Sequence, residues 1–257
     1  MQAPFTITLL GTGTSSGVPM IGCSCVVCTS TNSKDVRLRC SILIQTLATT
    51  VVVDTTPDFR QQMLTHKVTK LDAVVYTHSH KDHIAGLDDV RAYNYFTQKP
   101  MPLYLNAGTE VRLRREFDYA FAETPYEGVP KLVLNIIDIN TFAIGDITLT
   151  PIPVLHYKMP VLGYRIGNIA YITDANYIPP ASMELLQGID ILILNALRYE
   201  PHLSHFTLQQ AVAIAEQLHV KQAYFTHISH QLGLHSVVNA TLPSHIQLGY
   251  DGLVVSG

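Results

Sequence analysis

Thr77-His78-Ser79-His80-Lys81-Asp82-His83 decides the reading of this chain. It follows Leu71, Ala73, Val74, Val75 and Tyr76, a short valine-rich apolar run that predicts a buried strand ending at the cluster. Three histidines and a carboxylate fall within six positions, and no packing requirement gathers those types there. Imidazole is the commonest protein ligand for zinc and related divalent ions, and a carboxylate adds a harder donor beside it. His78 and His80 are two apart, so at a strand end they lean to one side and share an ion. Asp82 and His83 fall in the following turn and point elsewhere, which predicts a second ion next to the first. The plainer reading is a solvated polar loop between strand and helix.

The whole chain gives that cluster a setting. With 257 residues, 47% of them apolar and 14% charged, it can bury a large core as a single domain. A net charge of −3 argues against a general nucleic-acid or anionic-membrane binder. No signal-like N-terminus and no run approaching the roughly 20 apolar residues of a membrane span is found, so the expected address is cytoplasmic. Three of the four cysteines crowd into Cys23-Ser24-Cys25-Val26-Val27-Cys28, which does not read as an extracellular disulfide framework. Three thiols in C-x-C-x-x-C spacing turn onto one zinc from a compact loop at about residues 22–30, with one tetrahedral position left open. Cys40 stands alone and reads as a packed core thiol.

Alternation predicts an opening strand over Phe5–Leu10. Gly11-Thr12-Gly13-Thr14-Ser15-Ser16-Gly17 then follows with the wrong glycine spacing for a dinucleotide fingerprint, and with Pro19 where a helix would start. That leaves a tight turn or a backbone that faces an anion. Strands are predicted over 41–45, 50–54, 101–105, 132–137, 147–155, 163–166, 170–172, 189–194 and 223–226. Thr55-Thr56-Pro57-Asp58 predicts a capped helix through about Leu64. A helix over 109–121 is expected to turn Val111, Leu113, Phe117 and Ala120 inward, and its Arg112, Arg114 and Arg115 read as a solvated face. Thr207 and Gln210 form a capping box ahead of a helix with Leu208, Ala211, Val212, Ile214, Ala215 and Leu218 on one face. The aromatic residues from Tyr93 to Tyr126 offer core packing, a lid or a homodimer contact.

The central motif resembles the His-x-His-x-Asp-His signature of the metallo-β-lactamase superfamily of metal-dependent hydrolases. That resemblance implies a four-layer αβ/βα sandwich with a dinuclear site at one edge of the paired sheets. It also implies later ligands, each after a strand, and His156, Asp174 and His227 stand where they are expected. On this basis His78, His80, His156 and Asp174 hold one cation, Asp82, His83, Asp174 and His227 the other, and Asp174 bridges; the pair is zinc, manganese or iron. Cys23, Cys25 and Cys28 taken with Thr226-His227-Ile228-Ser229-His230 further resemble the phosphoribosyl cyclic phosphate phosphodiesterases of the carbon–phosphorus lyase pathway. In that family such cysteines and a histidine hold a structural zinc, which implies His230 as its fourth ligand. His205, in Ser204-His205-Phe206-Thr207, resembles the catalytic histidine of the phosphodiesterase branch and is expected to act as general acid or transition-state stabiliser, with His202 behind it. Asp82 is expected to orient the nucleophile as well as bind metal, and Asp88 and Arg91 are candidates for substrate contact.

The function implied is two-metal hydrolysis of a small cyclic or linear phosphodiester. One alternative is a tRNA 3′-end endonuclease, although the chain lacks that group's Lys- and Gly-rich arm. A non-enzyme alternative is a metal-stabilised carrier like the pyrroloquinoline quinone group, which tends to lose the ligands kept here.

Overall fold

Short runs of β-branched and other apolar residues build fourteen strands among the described residues, 3–123 and 126–257, of a computed structural model. The first half supplies β1 (Thr6–Gly11), β2 (Ser41–Gln45), β3 (Thr50–Val53), β4 (Ala73–Val75), β5 (Met101–Leu105) and β6 (Leu132–Ile136). The second supplies β7 (Phe142–Ile144), β8 (Ile147–His156), β9 (Met159–Ile166), β10 (Ile169–Ile172), β11 (Ile191–Asn195), β12 (Gln222–Thr226) and β13 (Ile246–Leu248). The last strand, β14 (Val254–Ser256), returns to the first sheet, giving the order β14-β1-β2-β3-β4-β5-β6 against β13-β12-β11-β10-β9-β8-β7. The helices are α1 (Phe59–Thr65), α2 (Lys81–Ile84), α3 (Arg91–Thr97), α4 (Ala107–Glu116), α5 (Pro180–Leu185), α6 (Leu208–Gln217) and α7 (His235–Asn239).

Each sheet is antiparallel at one side and parallel at the other: β3 to β6 run parallel, as do β10 to β13. Parallel strands are covered on both faces and read as continuous apolar runs, and Val51-Val52-Val53 is fully buried throughout. Its alternate residues divide between layers. Val51 and Val53 join Ile42, Ile44, Val75, Tyr164, Tyr171 and Ile193 in the core between the sheets. Val52 points outward with Val74 and Leu103 beneath Phe59, Tyr93 and Leu113. The outer face of the second sheet packs Ile172, Leu194 and Phe225 against Leu186, Leu208, Ala211 and Val238. Helix, sheet, sheet and helix give the expected four-layer αβ/βα sandwich. No helix among the described residues is long and apolar enough to cross a membrane.

Several local expectations change. The predicted helix over 109–121 starts earlier and stops at Glu116, because Phe117 leaves helical geometry at φ −123°, ψ 41°. Its buried face follows i, i+4 spacing through Thr109, Leu113 and Phe117, which leaves Val111 68% exposed. Asp58 occupies the cap of α1 without capping it, since its carboxylate accepts from Arg39 N–H at 2.8 Å and Nη1 at 2.9 Å. The capping box of Thr207 and Gln210 forms as read, although Val212 and Ile214 stay only partly buried. The glycine stretch after β1 closes in the expected tight turn, with Gly17 at φ 65° and its N–H donating to the Thr14 carbonyl at 2.8 Å. Gly13 and Thr14 N–H donate to the carbonyls of Leu38 and Ile228, so this backbone ties the 37–39 segment to the end of β12. A Cβ at Gly11 would collide with the Arg39 carbonyl, which accounts for a glycine there. Among the aromatics, Tyr93 and Phe117 are buried, whereas Tyr95, Phe96 and Tyr126 are exposed.

Candidate metal centre

In open α/β sheets the crevice at the carboxyl ends of parallel strands is where ligands gather. Asp54 follows β3, Thr77 to His83 follow β4, Asp174 follows β10, His227 follows β12, and His156 closes β8. All converge. Asp54, Asp174 and His227 adopt left-handed backbone at φ 68°, 56° and 54°, a conformation unfavourable for L residues that turns each side chain off the strand line into the crevice.

Two sets of donors are brought together, each with its ligand atoms within 4.8 Å of one another: His78, His80, His156, Asp174, and Asp82, His83, Asp174, His227. Asp174 belongs to both. Its Oδ2 lies 3.4 Å from His83 Nε2 and 3.7 Å from His78 Nε2, while its Oδ1 lies 3.2 Å from His227 Nε2. Asp82 Oδ2 stands 3.4 Å from His83 Nε2 and 3.8 Å from His227 Nε2. His78, His83, Asp174 and His227 are each 2% exposed or less, yet the Nε2 atoms of all three histidines have no hydrogen-bond partner. An unsatisfied buried nitrogen costs about 1–3 kcal/mol, and three facing shared carboxylates fit a pair of cations. The donor set of imidazole and carboxylate suits zinc, manganese or iron.

The far sides of three rings, those of His78, His83 and His156, are anchored, which fixes their tautomers. Asp54 accepts from Thr77 N–H and Thr77 Oγ1 at 2.8 Å each, and its Oδ2 also lies 2.8 Å from His83 Nδ1. Thr77 Oγ1 in turn accepts from His78 Nδ1 at 2.9 Å. His156 Nδ1 donates to the Ser204 carbonyl at 2.8 Å, which frees its Nε2 for the crevice. Beneath His227, the fully buried Cys40 Sγ accepts the His227 backbone N–H at 3.1 Å. Burial pushes that thiol up to about 12, so it stays neutral. Sequence reasoning missed Asp54; its one signal was that it ends a strand, as His156, Asp174 and His227 do.

The electrostatics are those of a site prepared for positive charge. Burial and the neighbouring His83 hold His78 well below its ordinary value. Burial opposes protonation of His83 too, but Asp174, Asp82 and Asp54 outweigh it and hold that ring well above the usual range. The same balance raises His227 to about 9, with Asp174 as the main attractor. Against the cost of burial, His227 and His83 keep Asp174 ionised well below its ordinary value.

His205 stacks on His227 with ring centroids 4.5 Å apart and stands 4.6 Å from His156, so it faces both donor sets. It is 8% exposed, its Nδ1 is unpartnered, and burial followed by the His227 charge lowers its pKa. His202 lies 5.1 Å from His205 on the exposed side. Asp88 and Arg91 are drawn elsewhere. They form an ion pair at 2.8 Å, Asp88 accepts from Tyr119 Oη at 2.8 Å, and the cavity that Arg91 lines includes none of the clustered ligands.

A third cluster joins Cys23, Cys25, Cys28 and His230, all half-buried, with ligand atoms within 4.8 Å. His230 Nδ1 stands 3.4 Å from Cys23 Sγ and 3.3 Å from Cys25 Sγ. Contact with His230 lowers Cys25 to about 6, so a thiolate forms readily where zinc would bind. His227 and His230, three residues apart, thus serve opposite sides of one segment.

A family profile described as a beta-lactamase superfamily domain matches residues 49–228. A solved structure described as a new diphosphatase from the PhnP family is 46% identical, with a TM-score of 0.91 over 98% of this chain and 97% of that one. Zn2+-bound PqqB from Methylobacterium extorquens, 19% identical, shares the fold with a TM-score of 0.76 over 97% of this chain and 99% of that one. An octanoyltransferase of Porphyromonas gingivalis is 40% identical over 95% of this chain but 50% of that protein, so the chain spans about half the length of this curated relative. The profile takes in β3 through β12 and with them the crevice where the histidines and carboxylates meet, and the chain belongs to the metallo-β-lactamase superfamily of hydrolases.

Proposed function

We propose that this protein hydrolyses a small phosphodiester at its paired His/Asp site. The observation that carries the reading is His205, a buried imidazole stacked on His227 and tilted against His156, and so placed beside both donor sets. When bound, the two cations supply Lewis acidity toward phosphoryl oxygens and bring the pKa of water toward roughly 7. The chain does the rest. Asp174 and the anchored rings of His78, His83 and His156 set the donor geometry before substrate arrives. Asp82 accepts a hydrogen bond from, and so orients, the attacking water. His205 donates an N–H or a proton to the oxygen that departs, and burial of the crevice strengthens that interaction. A small phosphodiester remains the proposed substrate. The half-buried sulfur cluster is assigned a structural zinc that clamps the 23–28 loop to the end of β12.

A second reading, cleavage of a diphosphate linkage, is favoured by the 46% identity to the PhnP-family diphosphatase. Both readings use the same residues and differ in the leaving group. Acyl transfer, the activity named for the longer curated relative, finds less support. Cys40 is the one described thiol outside the sulfur cluster, and burial keeps it a neutral, enclosed and poor nucleophile. The test is turnover of a panel of linear aryl, cyclic nucleotide and cyclic ribosyl phosphodiesters, a nucleoside diphosphate and a short RNA, with zinc or manganese added. Bis(4-nitrophenyl) phosphate should be cleaved, and His205→Ala should slow it by about 10²–10⁴-fold with metal content unchanged. Equal turnover in the variant removes His205 from the mechanism.

A further inference from the structure

A cavity of about 550 Å³ begins at His78 and Ser79 and runs away from the paired site between β9, the segment after β6 and the start of α4. Its walls are carbon: Ile137, Ile139, Pro153, Met159, Val161 and Leu162. A separate opening of about 490 Å³ exposes His80 and His156 beside Tyr157 and Lys158. Met159 lines both, so the two openings adjoin at that side chain, and His78, a donor of the paired site, lines the cavity itself. Ile139 lines the cavity and is 66% exposed, apolar surface left open to solvent among the described residues.

Charge separates the two ends. The mouth carries histidine, carboxylate and Lys158, which suit the anionic phosphoryl group. At the rim of the cavity the exposed Arg112 and Asp138 offset one another, and Asp138 is already engaged by Asn140 N–H at 2.7 Å. No net charge and a carbon lining select an uncharged, apolar body.

We infer that this cavity is a specificity subsite that takes the apolar alkyl or aryl substituent of the substrate while its phosphate sits at the paired His/Asp site. The inference rests on the phosphodiesterase reading for the identity of the phosphoryl end, and it narrows the substrate to esters with a substantial hydrophobic group. Such a group buries carbon surface that a nucleoside or sugar would leave unmatched, and transfer of each methylene from water is worth up to about fourfold in affinity.

Calorimetry of the zinc-loaded protein with monoalkyl phosphates from methyl to octyl reads the subsite without any turnover. Affinity should climb about twofold to fourfold per methylene, more than a hundredfold in total, until the cavity is filled. Ile139→Asp, at an exposed position where folding is not at stake, should shrink the octyl-to-methyl ratio at least tenfold. Leu64→Asp, an equally exposed apolar position on α1, should leave the ratio alone. Affinity independent of chain length, or a ratio that Ile139→Asp does not change, overturns the subsite. Turnover of 4-nitrophenyl alkyl phosphates, measured alongside, separates the two ideas. A chain-length effect on binding with no cleavage of any diester sinks the phosphodiesterase reading and keeps the apolar subsite; cleavage without a chain-length effect does the reverse.

Discussion

Two clusters of metal-binding side chains meet at the segment Thr226–His230 and are built on opposite principles. The sulfur cluster is local: three of its four donors come from one short loop, all are half-buried, and Cys23 and Cys25 already touch His230 at 3.3–3.4 Å. The His/Asp cluster is assembled from four strand ends spread over the fold, and most of its donors are buried, mutually charged and short of partners. One arrangement holds a loop down. The other keeps several donors poised at a distance from which they cannot satisfy each other, which costs stability unless cations are present and leaves reactive positions open. The proposed chemistry therefore fits the frustrated cluster and the proposed clamping the satisfied one.

The comparison breaks most sharply at Asp54. This fully buried carboxylate holds Thr77 and His83 and touches no other ligand of the pair. Asparagine tolerates the left-handed backbone that position 54 requires, so Asp54→Asn changes the charge and sets an amide N–H against the His83 N–H without disturbing the turn. Affinity for the paired cations should fall about 10–100-fold, while the sulfur-bound zinc stays. Elemental analysis after dialysis against a weak chelator should find roughly one ion per chain in the variant and three in the parent. Retention of all three would mean that Asp54 only packs.

Cys25→Ser sharpens the same contrast from the other side, with a smaller effect on chemistry. Losing one thiolate that already contacts His230 should release the local zinc and leave the paired cations in place. The loop 23–28 then loses its clamp, and the melting temperature should fall by about 5 °C, the response expected of a domain this size to about 2 kcal/mol. Turnover should drop only severalfold, since His227 is still held by Cys40 and the β12 register. An unchanged melting temperature would show that the cluster stabilises nothing.

Much of this was legible in the sequence because strand ends carry their own signature. An apolar run marks the strand, and the polar residue that breaks it at His78, His156, Asp174 or His227 marks the crevice. Asp54 carries the same signature, but it anchors one ligand from behind, and a hydrogen bond to the far nitrogen of His83 has no sequence period. The helix over 107–116 was misjudged for a related reason. Apolarity alone turned Val111 inward, whereas the i, i+4 row through Thr109, Leu113 and Phe117 is what meets the sheet. The apolar cavity at Met159 was invisible, since its walls come from three separate parts of the chain and each residue passes for ordinary core.

The effect that is smallest at neutral pH lies in the polar network that joins the two halves behind the sulfur cluster. Arg37, 4% exposed, donates through Nη1 to Thr12 Oγ1 and the Gly249 carbonyl, and through Nη2 to His235 Nδ1 at 3.1 Å. The His235 backbone N–H donates to Asp35, whose other oxygen accepts from Ser30 at the end of the cysteine loop. Because Arg37 can only donate, His235 must keep Nδ1 unprotonated, and burial together with Arg37 lowers its pKa from 6.5 to about 4. The unfolded chain takes up that proton near 6.5 and the folded one does not. Stability from this residue is therefore complete above about pH 6.5 and is lost as pH falls toward 4, by at most about 3 kcal/mol. His235→Asn keeps an acceptor for Arg37 and removes the titration, so urea midpoints of variant and parent should agree in slope above pH 7 and diverge below 6, with the variant losing less. Parallel decline of the two at low pH would place the acid sensitivity in the metal clusters instead, where three thiolates and eight further ligands would all compete with protons for their ions.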